Sequence, residues 1–348
     1  MGARAHSRPP SMVDVAREAG VALVTVSRVL NEPDRVRPET RDRVTQAIER
    51  LGYRRNDLAR ALKSGRSNTF GVVIAGSELF ELPRILRGVE ESAQRAGYWV
   101  NLASWQGGDA DQLTAAVDRM TRQAVEAIAI IADRPVAAEA LERLAAVVPV
   151  SVVMSGDLAN PAIGSVELDQ ELGARLATRH LLNLGHRRIV HITGRLEVFD
   201  ARARLAGFEQ EMGAAGADAV FVEGDFTAAS GYRQASRLAD GGLPTAIFAG
   251  NDQTAMGVLA AFAERGISVP RDVSLVGFDD MAGAAYLVPA LTTVRQDFVS
   301  LGSASIEMLL EMIGGAPARH QLIAPTLIPR LSSGSPSAGD GAIAVGAP

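Results

Sequence analysis

The sequence predicts a small all-α helix-turn-helix headpiece joined to an α/β core of two doubly wound parallel-sheet subdomains. Short apolar helices with a glycine break occupy the first 55 residues, and from Thr69 short apolar runs alternate with helix-like segments in two successive sets. Alternation at that spacing builds a parallel sheet covered by helices on both faces. The charge is also split: residues 1–68 hold 14 Arg and Lys against 8 Asp and Glu, and the remainder hold 21 against 32. A basic head on an acidic body points to a nucleic-acid-binding module attached to a second function.

The elements follow in order. Residues 1–10 read as a disordered lead and 11–55 as the DNA-binding domain. Ser11 is placed to cap a helix from Met12 to Ala19, with Met12, Val15, Ala16 and Ala19 on one face. Gly20 breaks the chain, and a second helix runs from about Leu23 to Leu30 with Val26, Val29 and Leu30 inward. After the polar loop NEPDRVRP, residues Glu39 to Leu51 carry Val44, Ala47, Ile48 and Leu51 at helical spacing, and Gly52 stops them. Asn56 to Lys63 offers one or two helical turns before the join SGRSN, so 56–68 is a linker. TFGVVIA, YWVNLA, AIAIIA and PVSVVM then read as one set of strands, and RRIVHIT, AVFVE, TAIFAG and VSLVGF as a second. Helices are expected near 169–184, 200–214, 228–240, 251–265 and 298–313, followed by one or two strands in QLIAPTLIPR. The tail, 332–348, has turn composition and no heptad, and is expected to be disordered and unable to build a four-chain bundle. Two open sheets facing each other leave a cleft at the carboxyl ends of their strands, where such folds bind ligands.

Composition removes several function classes. With 348 residues and 47% apolar side chains there is material for more than one core, and aromatics at 5% leave it to Ala, Val, Leu and Ile. The absence of cysteine rules out disulfides, thiolate metal sites and thiol nucleophiles, and suits a reducing cytoplasm. No apolar run is long enough to span a membrane, and the amino-terminal MGARAHSRPPS lacks the apolar stretch of a signal peptide. No GxGxxG follows a strand, and neither HExxH nor GxSxG occurs. A Walker loop needs Gly-Lys, but the lone lysine, Lys63, follows Leu62. The five histidines never fall at metal-ligand spacing, and His186 in NLGHRRI reads as a loop tether. Neither a catalytic group, a metal site nor a cofactor is nominated, so the chain is not expected to be an enzyme.

The segments VDVAREAGVALVTVSRVLN, VRPETRDRV and IERLGYRRNDLARAL resemble the lactose-repressor (LacI/GalR) family of bacterial transcription regulators. The likeness continues through LLNLGHRRIVHITG, ARARLAGFEQ, PTAIFAGNDQTAMGVLAAFAERGISVPRDVSLVGFDD and LTTVRQDF, across about residues 12–330. It implies a headpiece, a hinge helix within 56–68, and a periplasmic-binding-protein-like core over 69–331. In that core the N-subdomain would take about 69–166 and 296–324, and the C-subdomain about 167–295 and 325–331.

The resemblance also assigns residues. Leu23 to Leu30 becomes the recognition helix, with Leu23, Val24 and Arg28 facing base edges in the major groove. Arg28 would read guanine through two hydrogen bonds, and the two apolar residues would pack against thymine methyls. Thr25, Ser27 and Asn31 match phosphate-contacting positions. The family's usual serine cap for this helix is Ala22 here. Leu62 matches the residue that wedges into the central base step when two hinges pair. For the effector, the resemblance implies contacts from Arg204, Asn251, Asp279, Phe226, Gln296 and Phe298. Galactoside-binding members place an acid at the end of the strand PVSVVM. Met154 stands there instead, so either Ser155 or Asp157 substitutes or the effector lacks the matching hydroxyl.

The expectation is a cytoplasmic, homodimeric, sequence-specific DNA-binding regulator, a repressor of carbohydrate-use genes. A small sugar-like effector would release it from a pseudo-palindromic double-stranded operator. The alternatives are a regulator with a purine-type corepressor that tightens DNA binding, and a sugar-binding transport protein.

Overall fold

The structure is a computed structural model that describes residues 10–54, 66–75, 81–105, 110–132, 138–153 and 160–337. The chain divides into two compact units, Met1–Ser67 and Asn68–Pro348. The linker segment carrying Leu62, the strand end carrying Met154, Ser155 and Asp157, and residues 338–348 lie outside the described residues.

In the first unit, α1 (Met12–Ala19) opens on a reciprocal cap in which Ser11 and Asp14 satisfy each other's backbone amides. It ends on Gly20 in the left-handed region, the conformation a non-glycine residue reaches only at a cost. A second helix, α2 (Leu23–Asn31), begins after Ala22 without a side-chain cap, and α3 (Pro38–Leu51) ends on a left-handed Gly52. Val15, Ala16, Ala19, Val26, Val29, Val44 and Ala47 form the small core. That core leaves one face of α2 outside: Leu23 is 47% and Val24 61% exposed.

The second unit holds two six-stranded sheets. The N-terminal sheet comprises β1 (Thr69–Ala75), β2 (Trp99–Trp105), β3 (Ala127–Ala132), β4 (Val150–Val153), β5 (Ile163–Leu168) and β11 (His320–Ile323), in the order β11-β5-β4-β3-β1-β2. All its pairings are parallel. The C-terminal sheet comprises β6 (Ile189–Ile192), β7 (Val220–Val222), β8 (Ala246–Ala249), β9 (Ser274–Asp279), β10 (Thr292–Arg295) and β12 (Thr326–Ile328), in the order β12-β10-β9-β8-β6-β7. Only the edge pair β10–β12 is antiparallel. Strands β3, β4, β8 and β9 are buried along their whole length, which explains why they read as mainly apolar runs rather than alternating ones; β5, IGSVEL, is equally buried but its Gly164, Ser165 and Glu167 hid it from the sequence reading.

Among the described residues, eight helices cover these sheets: α4 (Leu82–Arg95), α5 (Ala110–Arg122), α6 (Ala138–Ala145), α7 (Gln170–Asn183), α8 (Phe199–Ala214), α9 (Ala228–Gly241), α10 (Asp252–Glu264) and α11 (Phe298–Ile313). The chain passes between the halves three times, after β5, after β10 and after β11. None of the helices among the described residues is long and apolar enough to cross a membrane.

Helices α4 and α11 pack on the N-terminal sheet through facing glycines. A Cβ on Gly88 would lie 2.0 Å from the Val299 carbonyl oxygen, and one on Gly302 would lie 2.1 Å from that of Ile85. The two backbones touch, so no side-chain rotation can make room. Gly88→Val is expected to destabilise the core by about 3 kcal/mol, the upper end of overpacking costs. The urea midpoint of the full chain measures this, and an unchanged midpoint would mean the helices separate freely.

One expectation is corrected. The tail from residue 332 is not disordered at its start, because residues 332–337 strap onto the C-terminal half. Ser332 is fully buried; its backbone carbonyl accepts from Leu275 N (2.7 Å), and its hydroxyl accepts from Thr292 N (2.8 Å) and donates to Leu275 O (2.6 Å). His186 Nε2 donates to the Gly334 carbonyl at 2.8 Å, so the tether expected of this histidine holds the strap. Small polar residues give a segment turn composition, but the same hydroxyls and bare backbone also pair with a strand end.

Candidate functional site

The carboxyl ends of both sheets and the starts of the helices that follow them surround a cavity of about 240 Å³. A helix that begins directly after a strand places its first residues at this rim, and Gln170, Asn251 and Phe298 reach the wall in that way. The polar centre is Arg204, on the inward face of α8 and 4% exposed. Its Nε donates to Gln170 Oε1 at 2.9 Å, its Nη1 to the Gly250 carbonyl, and its Nη2 to Asp279 Oδ1 at 3.3 Å. Its guanidinium carbon sits 3.9 Å from the centroid of Phe278 and 5.4 Å from that of Phe226. A flat, forked cation suits this position, because a lysine could not serve three acceptors and two ring faces together.

Asp279 closes the network. It ends β9 at φ 98°, an outlying conformation for a non-glycine residue, and Asp280 follows at φ 49°. The two side chains diverge. Asp279 Oδ1 accepts from Gln296 Nε2 (2.7 Å) as well as from Arg204, whereas Asp280 accepts from Arg295 and Arg330, each at 2.7 Å. Burial pushes the Asp279 carboxyl above its usual range, while Arg204 and Gln296 pull the other way. Burial also opposes charge on Asp280, but the bonds from Arg330 and Arg295 outweigh it and hold that carboxyl low. Gln296 Oε1 accepts in turn from Gln170 Nε2 at 2.8 Å.

All six residues expected on the effector side line this one cavity. Two carry a structural duty as well. Asn251 Oδ1 caps α10 by accepting from Thr254 N (2.8 Å), which leaves its NH2 end for the cavity. Gln296 spends both ends of its amide holding Gln170 and Asp279, which makes it a positioning residue. Phe226, at φ 65°, stands against Gly194, where a Cβ would lie 2.1 Å from its ring. Phe298 opens α11 beneath the ring-stacked guanidinium of Arg84.

Sequence reasoning missed Gln170, Asp200 and Glu81. The first two begin helices after strands, the pattern that identified Asn251, so a signal for them was present. Glu81 precedes α4, and its approach to Arg204 and Asp279 appears only in three dimensions. Burial, then Asp279, pushes its carboxyl up to about 7. Asp252, buried behind the site with Thr293 and Met281 N as donors, is likewise pushed up to about 7, chiefly by burial. No three His, Asp or Glu converge as metal ligands among the described residues.

On the headpiece, Leu23, Val24, Arg28 and Asn31 are exposed on α2, and Thr25 and Ser27 are half-buried beside them. Asn31 Nδ2 donates to the Ser27 carbonyl at 2.7 Å, so these two residues are braced against each other.

Residues 11–56 match the profile of bacterial regulatory proteins, lacI family, and residues 178–333 that of the periplasmic binding protein-like domain. The chain is 32% identical over 336 residues to the lactose operon repressor of Escherichia coli (strain K12), covering 95% of this chain and 92% of that one.

The chain belongs to the LacI family.

It is a DNA-binding transcriptional repressor of that family. The likeness extends to three dimensions. The solved Lac repressor dimer bound to operator and the anti-inducer ONPF superposes with a TM-score of 0.82 at 31% identity, covering 94% of this chain and 100% of that one. The transcriptional regulator CelR–cellobiose complex gives a TM-score of 0.69 at 29% identity, covering 93% and 100%. The LacI-family fold accounts for the order of the chain: one all-α unit, then two parallel-sheet halves built from interleaved segments.

Proposed function

We propose that this LacI-family repressor works as a cytoplasmic homodimer whose cleft takes a small, hydroxyl-rich effector that lowers its affinity for a pseudo-palindromic operator. The observation that carries the reading is the buried Arg204–Asp279–Gln296–Gln170 network in the cavity wall. A fixed cation beside a fixed acceptor, with the rings of Phe226 and Phe298 in the same wall, is what paired hydroxyls on an apolar ring frame require. Arg204, Asp279, Asn251 and Phe226 contact the effector in this reading, and Phe298 covers its apolar face. The cellobiose held by the similar CelR supports a saccharide. The effector leaves unchanged in this reading, and the protein's action is confined to binding.

On the DNA side, Leu23, Val24 and Arg28 read bases from the exposed face of α2, while Thr25, Ser27 and Asn31 position the helix on phosphates. Leu62 wedges the central step. Effector and operator affect each other's affinity by the same factor. The test is to select an operator from random duplexes with the full chain and then titrate it with and without saccharides. Weaker operator binding in the presence of a bound saccharide is expected. Tighter binding would reverse the sign and favour the purine-corepressor alternative.

A further inference from the structure

Glu81 enters the cavity from the N-terminal half, opposite Arg204, Asp200 and Asp279 of the C-terminal half. It does not cap α4, and its carboxylate meets only its own backbone N–H among hydrogen-bond donors of the described residues. The other acids of the wall have partners. Asp279 has Arg204 and Gln296, and Asp225 has Thr227 and Arg233, while Glu167 Oε1 lies 3.6 Å from His320 Nδ1, which is engaged with Ser165 Oγ. Asp200 lies 3.8 Å from Arg204.

Among the described residues the wall therefore carries five carboxylates against one guanidinium, and Arg204 is already committed to three acceptors. Of the arginines on α4, the helix that Glu81 precedes, Arg84 lies over the Phe298 ring at 5.1 Å and Arg87 pairs with Glu91. A half-buried acid facing a second acid, without a cation of its own, costs stability. Its natural complement is a ligand group that donates hydrogen bonds, best of all a charged one. Glu81 brings such an acceptor to the cavity from the N-terminal half.

We propose that Glu81 selects the effector, holding the N-terminal-half end of a hydroxyl-rich ligand that carries a protonated amine, and turning away anionic ligands. The proposal rests on the reading of this cavity as the effector site. The amine donates to Glu81 and to the excess carboxylate of the wall, while hydroxyls engage Arg204 and Asp279. A phosphate or carboxylate in the same place would face acids on both sides.

Two measurements on the full chain test it. The first uses no ligand. The raised carboxyl favours the folded state below the ordinary glutamate pKa, and that contribution is lost as pH rises through about 7. Glu81→Gln should therefore melt above wild type at pH 8, with the gap closing towards pH 5. A gap equal at both pH values, or none at pH 8, overturns the assignment.

The second is calorimetric titration at pH 7, where the amine of glucosamine is still mostly protonated, with glucosamine, glucose, glucuronate and glucose 6-phosphate. Glucosamine should bind on the order of tenfold tighter than glucose, with the two anions weakest, and Glu81→Gln should erase the amine's advantage. Glucosamine no better than glucose, an anion binding best, a preference that survives Glu81→Gln, or binding of none of the four overturns the proposal. Arg204→Ala separates the two readings. If it abolishes binding while Glu81→Gln leaves the preference intact, only the Glu81 assignment falls. If binding survives Arg204→Ala, the cavity is not the effector site.

Discussion

Arg204→Ala is expected to weaken effector binding by roughly 10- to 100-fold while leaving operator affinity without effector near wild type. The arginine is buried and holds Gln170, the Gly250 carbonyl and Asp279 together, so its removal takes away a ligand donor and the frame around it. Asp279 would be left buried without its cation, a worse state than removal of both charges. A lost hydrogen bond to a charged group costs about 1.5–3 kcal/mol, which sets the range. The headpiece has its own core, so the expected phenotype is a repressor that binds DNA and does not respond. Both affinities are measured on one preparation, with circular dichroism to verify the fold. Arg204→Lys should fall between, because an ammonium keeps the charge and loses the fork. Undiminished effector binding by the alanine variant would reduce Arg204–Asp279 to a structural ion pair.

The second large effect concerns salt. Arginines on the headpiece release counterions when they meet phosphates, so the logarithm of operator affinity should fall linearly with the logarithm of salt concentration. For a protein making about 6–10 phosphate contacts, the loss between 50 and 200 mM salt is on the order of 10³–10⁵. The fragment 68–348, whose charge is net acidic, should show no operator binding at any salt. Gel shift across a salt series measures both, and operator binding by the fragment would remove the headpiece from the recognition.

The architecture was legible because its signals are local. Gly20 and Gly52 do mark helix ends with left-handed backbone, and buried parallel strands do read as apolar runs. The residues expected on the effector side came from resemblance, and the structure brings Arg204, Asn251, Phe226, Asp279, Gln296 and Phe298 to one cavity. What stayed hidden depends on contacts between distant segments. Glu81 matters because of Asp279, almost two hundred residues away, and no periodicity encodes that approach. Ser332 looked like tail because serine is a loop residue by composition, and only β9 and β10 beside it make its hydroxyl structural.

The three crossings between the halves bear on how the protein is made. Neither half is contiguous in the chain, so neither is complete when its first strands leave the ribosome. The N-terminal sheet has β1 to β5 once Leu168 is synthesised, yet α11, which covers it with Phe298, Leu301, Ile306 and Leu309, ends only at Ile313. At about 5–20 residues per second, the part of that apolar face not covered by Ile85, Val89 and Ala93 of α4 stays open for on the order of ten seconds. Until β11 arrives at His320, the edge of β5 is unpaired too. A ribosome stalled between residues 168 and 298 would therefore display to solution the part of the sheet face that α11 covers in the finished fold.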